Sequence, residues 1–361
     1  MVSAERIPFL DLLRGAAIVL MVLNHTARWW LDEAMQPGRS ALIYATVVLP
    51  GATFLFLVGF CLPLATQQAR PGTPPSRRVA RFVGRGLVII VAGLALNAVV
   101  FREHPWWSGR VLQTIGLSVI VLGPLVPVLG ARVARPVVVA VAAALYLAFA
   151  AVAGALSAWL GEHRLVAQVL FREFPPWPWL AVPLIGLVLG CTWLDRRRAG
   201  RDAERRFFVV AAIVGGACLA GYVALDAWLD PQPRLGFERD LLVNDHWTPR
   251  GTTLLVVVGG TASLLALARW AGEAGRLVVG PLAVMGRTAL MLYLLHHVIV
   301  VTVVSRALEW RAEGWGTFAG ANVVLFALLV LVAHAWLAFR RLVRRPADAL
   351  RGRVVAIRRA A

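Results

Sequence analysis

The feature that most constrains this chain is the segregation of its apolar residues into blocks about as long as a bilayer is thick. Between charged or proline-rich breaks the blocks fall near 11–30, 41–65, 80–101, 110–130, 134–160, 178–194, 207–229, 251–271, 279–305 and 316–340. Crossing roughly 30 Å of hydrocarbon at 1.5 Å per residue takes about 20 residues in a helix. A backbone in lipid must satisfy its own polar groups, and a helix does so within one segment. The expectation is an all-α, polytopic membrane protein with about ten transmembrane helices. The stretch 110–160 is the hardest to count, because Pro124, Pro127 and Gly130 read either as a kink or as a turn between two helices.

Charge agrees with the bilayer as solvent. Only 16% of the residues are charged and 59% are hydrophobic, against about 25% charged in a soluble domain. The net charge of +18 would suit a nucleic-acid partner, but the basic residues, all arginine, lie between apolar blocks as membrane topology requires. No nucleic acid is expected. Arg70, Arg77, Arg78, Arg81 and Arg85, then Arg132 and Arg135, the run from Arg196 to Arg206, Arg269 and Arg276, and the tail from Arg340 occupy alternate loops, which are assigned to the cytoplasm. The intervening loops hold most of the acidic residues, including Asp32, Glu33, Glu103, Glu173, Asp240 and Asp245, and are assigned outside. Both termini are then cytoplasmic. Residues 1–345 form one transmembrane domain in the cytoplasmic membrane, and 346–361 a basic tail suited to anionic headgroups.

The first block has no small-residue cleavage site and reads as a retained helix. Cys61, Cys191 and Cys218 sit in apolar blocks without a spaced pair, so neither a disulfide nor a metal site is expected. Because no loop exceeds about 25 residues, any chemistry falls to residues on helices and outer loops.

An ionisable side chain at the centre of a spanning helix costs at least about 2.5–3.5 kcal/mol and calls for a partner or a purpose. Two blocks carry such groups. The first contains Asp11, Arg14 and His25; the ninth contains Arg287, Tyr293, His296 and His297. Arg14 and His25 are eleven positions apart, three turns plus roughly 20°, and so share a face. Measured along each helix from its cytoplasmic end, Arg287 lies about 9 Å in, His297 about 24 Å in, and His25 about 21 Å beyond Asp11. Arginines therefore occupy the inner half of both helices and histidines the outer half. The arginines suit an anionic cytosolic group such as a phosphate, and the histidines suit a base. Structural roles stand beside these: an Asp11–Arg14 ion pair locking a helix end, a packing role for His25, and histidines bonded to neighbouring carbonyls.

At these residues a resemblance enters. The stretch R-I-P-F-L-D-L-L-R-G-A-A-I-V-L-M-V-L-N-H, Arg6 to His25, resembles the first helix of the transmembrane acyltransferase superfamily, with Arg14 and His25 in its R-x10-H pattern. Leu49 to Gly59, Gly109 to Ser118, Phe174 to Gly190 and Met285 to His297 are similar, in order, to the heparan-alpha-glucosaminide N-acetyltransferase branch. That branch has a histidine and an Asn-Gly pair in the loop after the first helix. Here the loop reads W-W-L-D-E-A-M-Q-P-G-R-S, so the role falls to His25. The resemblance implies transfer of an acyl group, acetyl first among candidates, from cytosolic acyl-CoA to an extracytoplasmic carbohydrate or glycolipid.

On that basis Arg14 and Arg287 are candidates for the donor phosphates. His25 is the candidate base or acyl carrier, with Tyr293 and His297 orienting it or stabilising an oxyanion. Arg110, Gln113, Trp177, Asp245 and His246 are candidates for the acceptor, although the outer tryptophans also suit an interfacial aromatic belt. A transporter or lipid flippase without covalent chemistry is the alternative, favoured by the Pro and Gly interruptions. It predicts a repeat between the two halves, and the Arg14–His25 pair has no counterpart in the second half.

Overall fold

The computed structural model describes residues 7–36, 38–68, 72–171, 174–229, 253–274 and 276–360. Within them there is no strand, only an isolated bridge between Leu31 and Ala312, and ten helices are long and apolar enough to cross a membrane. Each of the ten apolar blocks corresponds to one of them. The ambiguous stretch resolves into two helices, Val111–Leu129 and Arg135–Ala155.

The helices are α1 (Pro8–Trp30), α2 (Gly38–Gln67), α3 (Pro75–Val100), α4 (Val111–Leu129), α5 (Arg135–Ala155), α6 (Ala181–Ala199), α7 (Arg201–Leu229), α8 (Thr253–Ala274), α9 (Arg276–Arg287), α10 (Ala289–His297) and α11 (Trp315–Ala360). α6 is the end of a longer span, Arg164–Ala199. α10 continues as a π-helix, Val298–Ala307. No break separates residues 346–360 from the last spanning helix.

α1 is the hub. It packs against α2, α8, α9, α10 and the π-helix, and Leu13, Ala17, Ile18 and Val22 are fully buried on it. α3, α5, α7 and α11 present long exposed rows of Val and Leu, such as Val88 and Val91 or Val323 and Val324, the faces that lipid would cover. α9 approaches α1 backbone to backbone: a methyl on Gly15 would overlap the Leu282 carbonyl, and one on Gly286 would overlap the Asp11 carbonyl. Two glycines thus set the depth at which α9 and α10 meet α1.

The ninth apolar block is not one helix. It breaks at Thr288 (φ −116°, ψ 17°), whose hydroxyl donates back to the carbonyls of Val284 at 3.1 Å and Met285 at 3.2 Å, a local bond that competes with the helical ladder. Arg287 therefore sits at the end of one segment and Tyr293, His296 and His297 on the next, and the depth expected from a single continuous helix does not apply to Arg287.

The C-terminal end of α1 is tied by several bonds to the π-helix and to the segment that follows it. Trp30 Nε1 donates to Val300 O at 3.1 Å, Ser305 Oγ to Trp29 O at 3.1 Å, and Ala312 N to Trp30 O at 2.7 Å. Deeper, Thr26 Oγ1 donates to Asn322 Oδ1 of α11 at 2.9 Å, and buried Asn24 donates to Ile43 O and Thr46 Oγ1 of α2.

Candidate active site

The contact of α1 with α10 brings His25 together with the adjacent pair His296 and His297, and His25 and His296 are 271 positions apart in sequence. His25 Nδ1 lies 3.1 Å from His296 Nε2. The His25 ring is 5.2 Å from that of His296 and 4.4 Å from that of His297, and the latter two are 4.0 Å apart. His296 and His297 are buried; His25 is half-buried and lines a cavity. Tyr293 packs on both, 5.8 Å from His296 and 4.9 Å from His297.

The backbone fixes the tautomers. Nδ1 of His296 is 2.9 Å from Leu292 O, and Nδ1 of His297 is 2.8 Å from Tyr293 O. A carbonyl only accepts, so in each neutral ring Nδ1 carries the proton and Nε2 is a bare acceptor. Nε2 of His296 must then accept from Nδ1–H of His25, which leaves Nε2 of His25 with its lone pair. The bonds to neighbouring carbonyls are those of a structural histidine, and here they also fix which nitrogen of His25 keeps its lone pair. Tyr293 meets His297 through its main-chain carbonyl and through ring contact.

Three cavities adjoin along α1. The first, about 660 Å³, is lined by Asp11, Arg14, Cys61, Gln68, Arg287, Arg340 and Arg341 among others. The second, about 310 Å³, is almost wholly apolar, with Phe54, Leu57, Val58, Phe82, Ile89, Leu112 and Ile115; it shares Arg14, Cys61, Ala65, Ala289 and Leu290 with the first. The third, about 430 Å³, holds His25, His297, Tyr293, Arg28, Glu103, His104 and Arg110, and shares Phe54 and Tyr293 with the second. Arg14 lines the first two cavities and His25 the third, and the two residues lie about 16 Å apart along α1, the rise of eleven helical residues.

Arg14 donates from Nη1 to Asp11 Oδ1 at 3.0 Å and from Nη2 to Cys61 Sγ at 3.2 Å. The ion pair exists, and the same guanidinium lines the first cavity. Arg110 stacks on Phe101, 4.0 Å from the ring centroid. Gln113 accepts from Arg110 N at 3.2 Å and positions that arginine. Asn97 holds the loop between α3 and α4 by donating to Trp106 O and Ser108 O. Burial raises the Glu103 carboxyl, but its own backbone N–H and the Arg306 guanidinium outweigh this and hold it below its usual range, so it is anionic at neutral pH.

Trp177 is not at the histidines; it packs between Phe149 and Phe171. Asp245 and His246 lie outside the described residues. His296, outside the set expected from the four-residue spacing of Tyr293 and His297, is the residue that contacts His25 Nδ1. Arg340 and Arg341, expected as loop charge, both line the first cavity.

The family model described as heparan-alpha-glucosaminide N-acetyltransferase, catalytic, matches residues 6–226, more than half of the chain. The chain belongs to this N-acetyltransferase family. A second model, described as a protein of unknown function, DUF418, matches residues 188–342. No curated protein gives a significant match. The N-acetyltransferase match contains Arg14, His25, Cys61 and Arg110, whereas His296, His297 and Tyr293 fall within the second match. The histidine cluster of this N-acetyltransferase-family chain therefore joins residues from both matched regions.

Proposed function

We propose that this chain transfers an acyl group, acetyl in the first instance, from cytosolic acyl-CoA to an extracytoplasmic carbohydrate. The observation that carries this is the run of three adjoining cavities, basic at one end, apolar in the middle and histidine-lined at the other. The donor's phosphates would lie against Arg14, Arg287, Arg340 and Arg341, which offer the charge and the forked donors that phosphate needs. The pantetheine arm would follow the apolar cavity. The thioester would then reach His25, whose Nε2 takes the proton of the acceptor as its oxygen or nitrogen attacks the acyl carbon; the C–S bond breaks and the same proton passes from His25 to the sulfur, so that coenzyme A departs as the thiol. Arg28, Glu103, His104 and Arg110 would hold the acceptor. Membranes incubated with labelled acetyl-CoA test this: label should pass to a glycan or glycolipid. Retention of all label as acetyl-CoA, with coenzyme A or its products moving across the membrane, would favour the transporter reading, which the break in the ninth span at Thr288 supports.

The reading requires the basic cavity to face the cytoplasm, as the arginine bias of the loops suggests. Single cysteines on a cysteine-free background check it at two exposed positions, Ala199 and Arg102. In intact cells an impermeant thiol reagent should label Arg102→Cys and spare Ala199→Cys. The reverse pattern would invert donor and acceptor sides and overturn the mechanism.

A further inference from the structure

The geometry points to a zinc-binding site formed by His25, His296 and His297, in which the ion switches acyl transfer off; the switching, though not the binding, rests on the function proposed above. One ring nitrogen from each of the three lies within 4.8 Å of the others. A tetrahedral ion with Zn–N of about 2.0–2.1 Å needs its ligands about 3.4 Å apart, and His25 Nδ1 and His296 Nε2 already stand at 3.1 Å, so modest rotation of His297 closes the set.

The outer bonds are those of a metal site. A ligating histidine characteristically donates its other ring N–H to a carbonyl or carboxylate, which fixes the tautomer and raises the basicity of the ligand. His296 and His297 both do this, toward Leu292 O and Tyr293 O, so each keeps a bare Nε2; that of His296 faces His25 Nδ1, and the His297 ring lies 4.4 Å from the His25 ring. Two consecutive residues of a regular helix point about 100° apart. Here both rings meet His25 at the point where the α-helix passes into a π-helix, a local change of register that recurs at functional sites. Imidazole is a good ligand for zinc, and a d¹⁰ ion accepts whatever tetrahedral geometry three such rings impose.

The charge balance defines the fourth position. Three neutral rings leave the double charge of the ion uncompensated, and Arg28 and Arg110 line the cavity beside Glu103. The open position is therefore filled by an anion, hydroxide being the simplest. Coordination through His25 Nδ1 moves that ring's proton from Nδ1 to Nε2, with no net release from the three imidazoles. Nε2, the lone pair that would accept the acceptor's proton, becomes an N–H donor, and the base is lost.

Tag-free protein stripped with a chelator, incubated with zinc sulfate and desalted should retain one zinc per chain by elemental mass spectrometry. Cobalt in its place should give the intense visible bands of tetrahedral coordination. His296→Ala and His297→Ala should each lose the metal while keeping the elution profile of the folded protein, and exposed His334→Ala should keep it. Zinc should lower transfer by about 10²-fold or more, as loss of a general base does, and chelator should restore it. Absence of bound zinc in wild type, or equal zinc in His296→Ala, would overturn the site. Transfer that requires zinc, or ignores bound zinc, would overturn the switching. Since metal content is read whether or not transfer occurs, failure of the transferase reading is distinguished from failure of this one.

Discussion

Replacing His25 with alanine is expected to lower acyl transfer by about 10²–10⁴-fold, the range for a positioned general base, while donor binding and membrane insertion persist. His25 is the one member of the histidine cluster that is both half-buried and on the wall of the third cavity, and the chain of bonds from Leu292 O through His296 leaves the lone pair on its Nε2. His25→Gln should be no better than alanine, because an amide has no comparable basicity. Disrupting His296 should act differently. His296→Gln can still accept from His25 Nδ1–H, so it should preserve more activity than His296→Ala, which frees the His25 ring to turn or to change tautomer. Acetyl transfer measured on purified variants, beside coenzyme A binding, checks all three. Near wild-type transfer by His25→Ala would remove the base from this position, and His297 would be the next residue to test.

Arg14→Ala is expected to weaken donor binding by roughly tenfold to a hundredfold, as the loss of about 1.5–3 kcal/mol in one hydrogen bond to a charged group implies. The neighbouring Asp11→Ala separates this from a structural effect. If Arg14 serves only the ion pair at 3.0 Å, the two variants should lower thermal stability alike and leave donor affinity alone. If Arg14 meets the phosphates, its loss should raise the donor KM, and Asp11→Ala should leave affinity intact or improve it by removing a competing carboxylate. Arg14→Lys should recover part of the affinity, since it keeps the charge and loses the fork. Coenzyme A titrations on the three variants decide the matter; equal affinity in wild type and Arg14→Ala would leave only the ion pair.

The candidate site was half legible in the residues themselves. Arg14, His25, Arg287, Tyr293 and His297 stand out because ionisable or polar groups inside apolar blocks are costly, and each lines at least one of the three cavities. The pairing of His25 with His296 was not legible. Helical periodicity says which residues share a face of one helix, but the rotation of α10 about its axis depends on the break at Thr288 and on the two glycine contacts between α9 and α1. For Trp177 the residues alone leave two readings, since an aromatic side chain between spans matches a sugar platform and a packing role equally well; in the fold it packs on Phe149 and Phe171.

The sequence by itself determined the all-helical class, the ten spans and the two helices that carry buried ionisable groups. These depend on the hydrophobicity of about 20 contiguous residues and on the cost of charge in hydrocarbon, both local properties of the chain. Only the tertiary structure decided that the first helix is the hub, that the ninth apolar block is broken, and that three histidines converge on one of three neighbouring cavities along α1. Those depend on backbone approach at Gly15 and Gly286 and on contacts between residues some 270 positions apart, for which no local pattern in the chain is a measure.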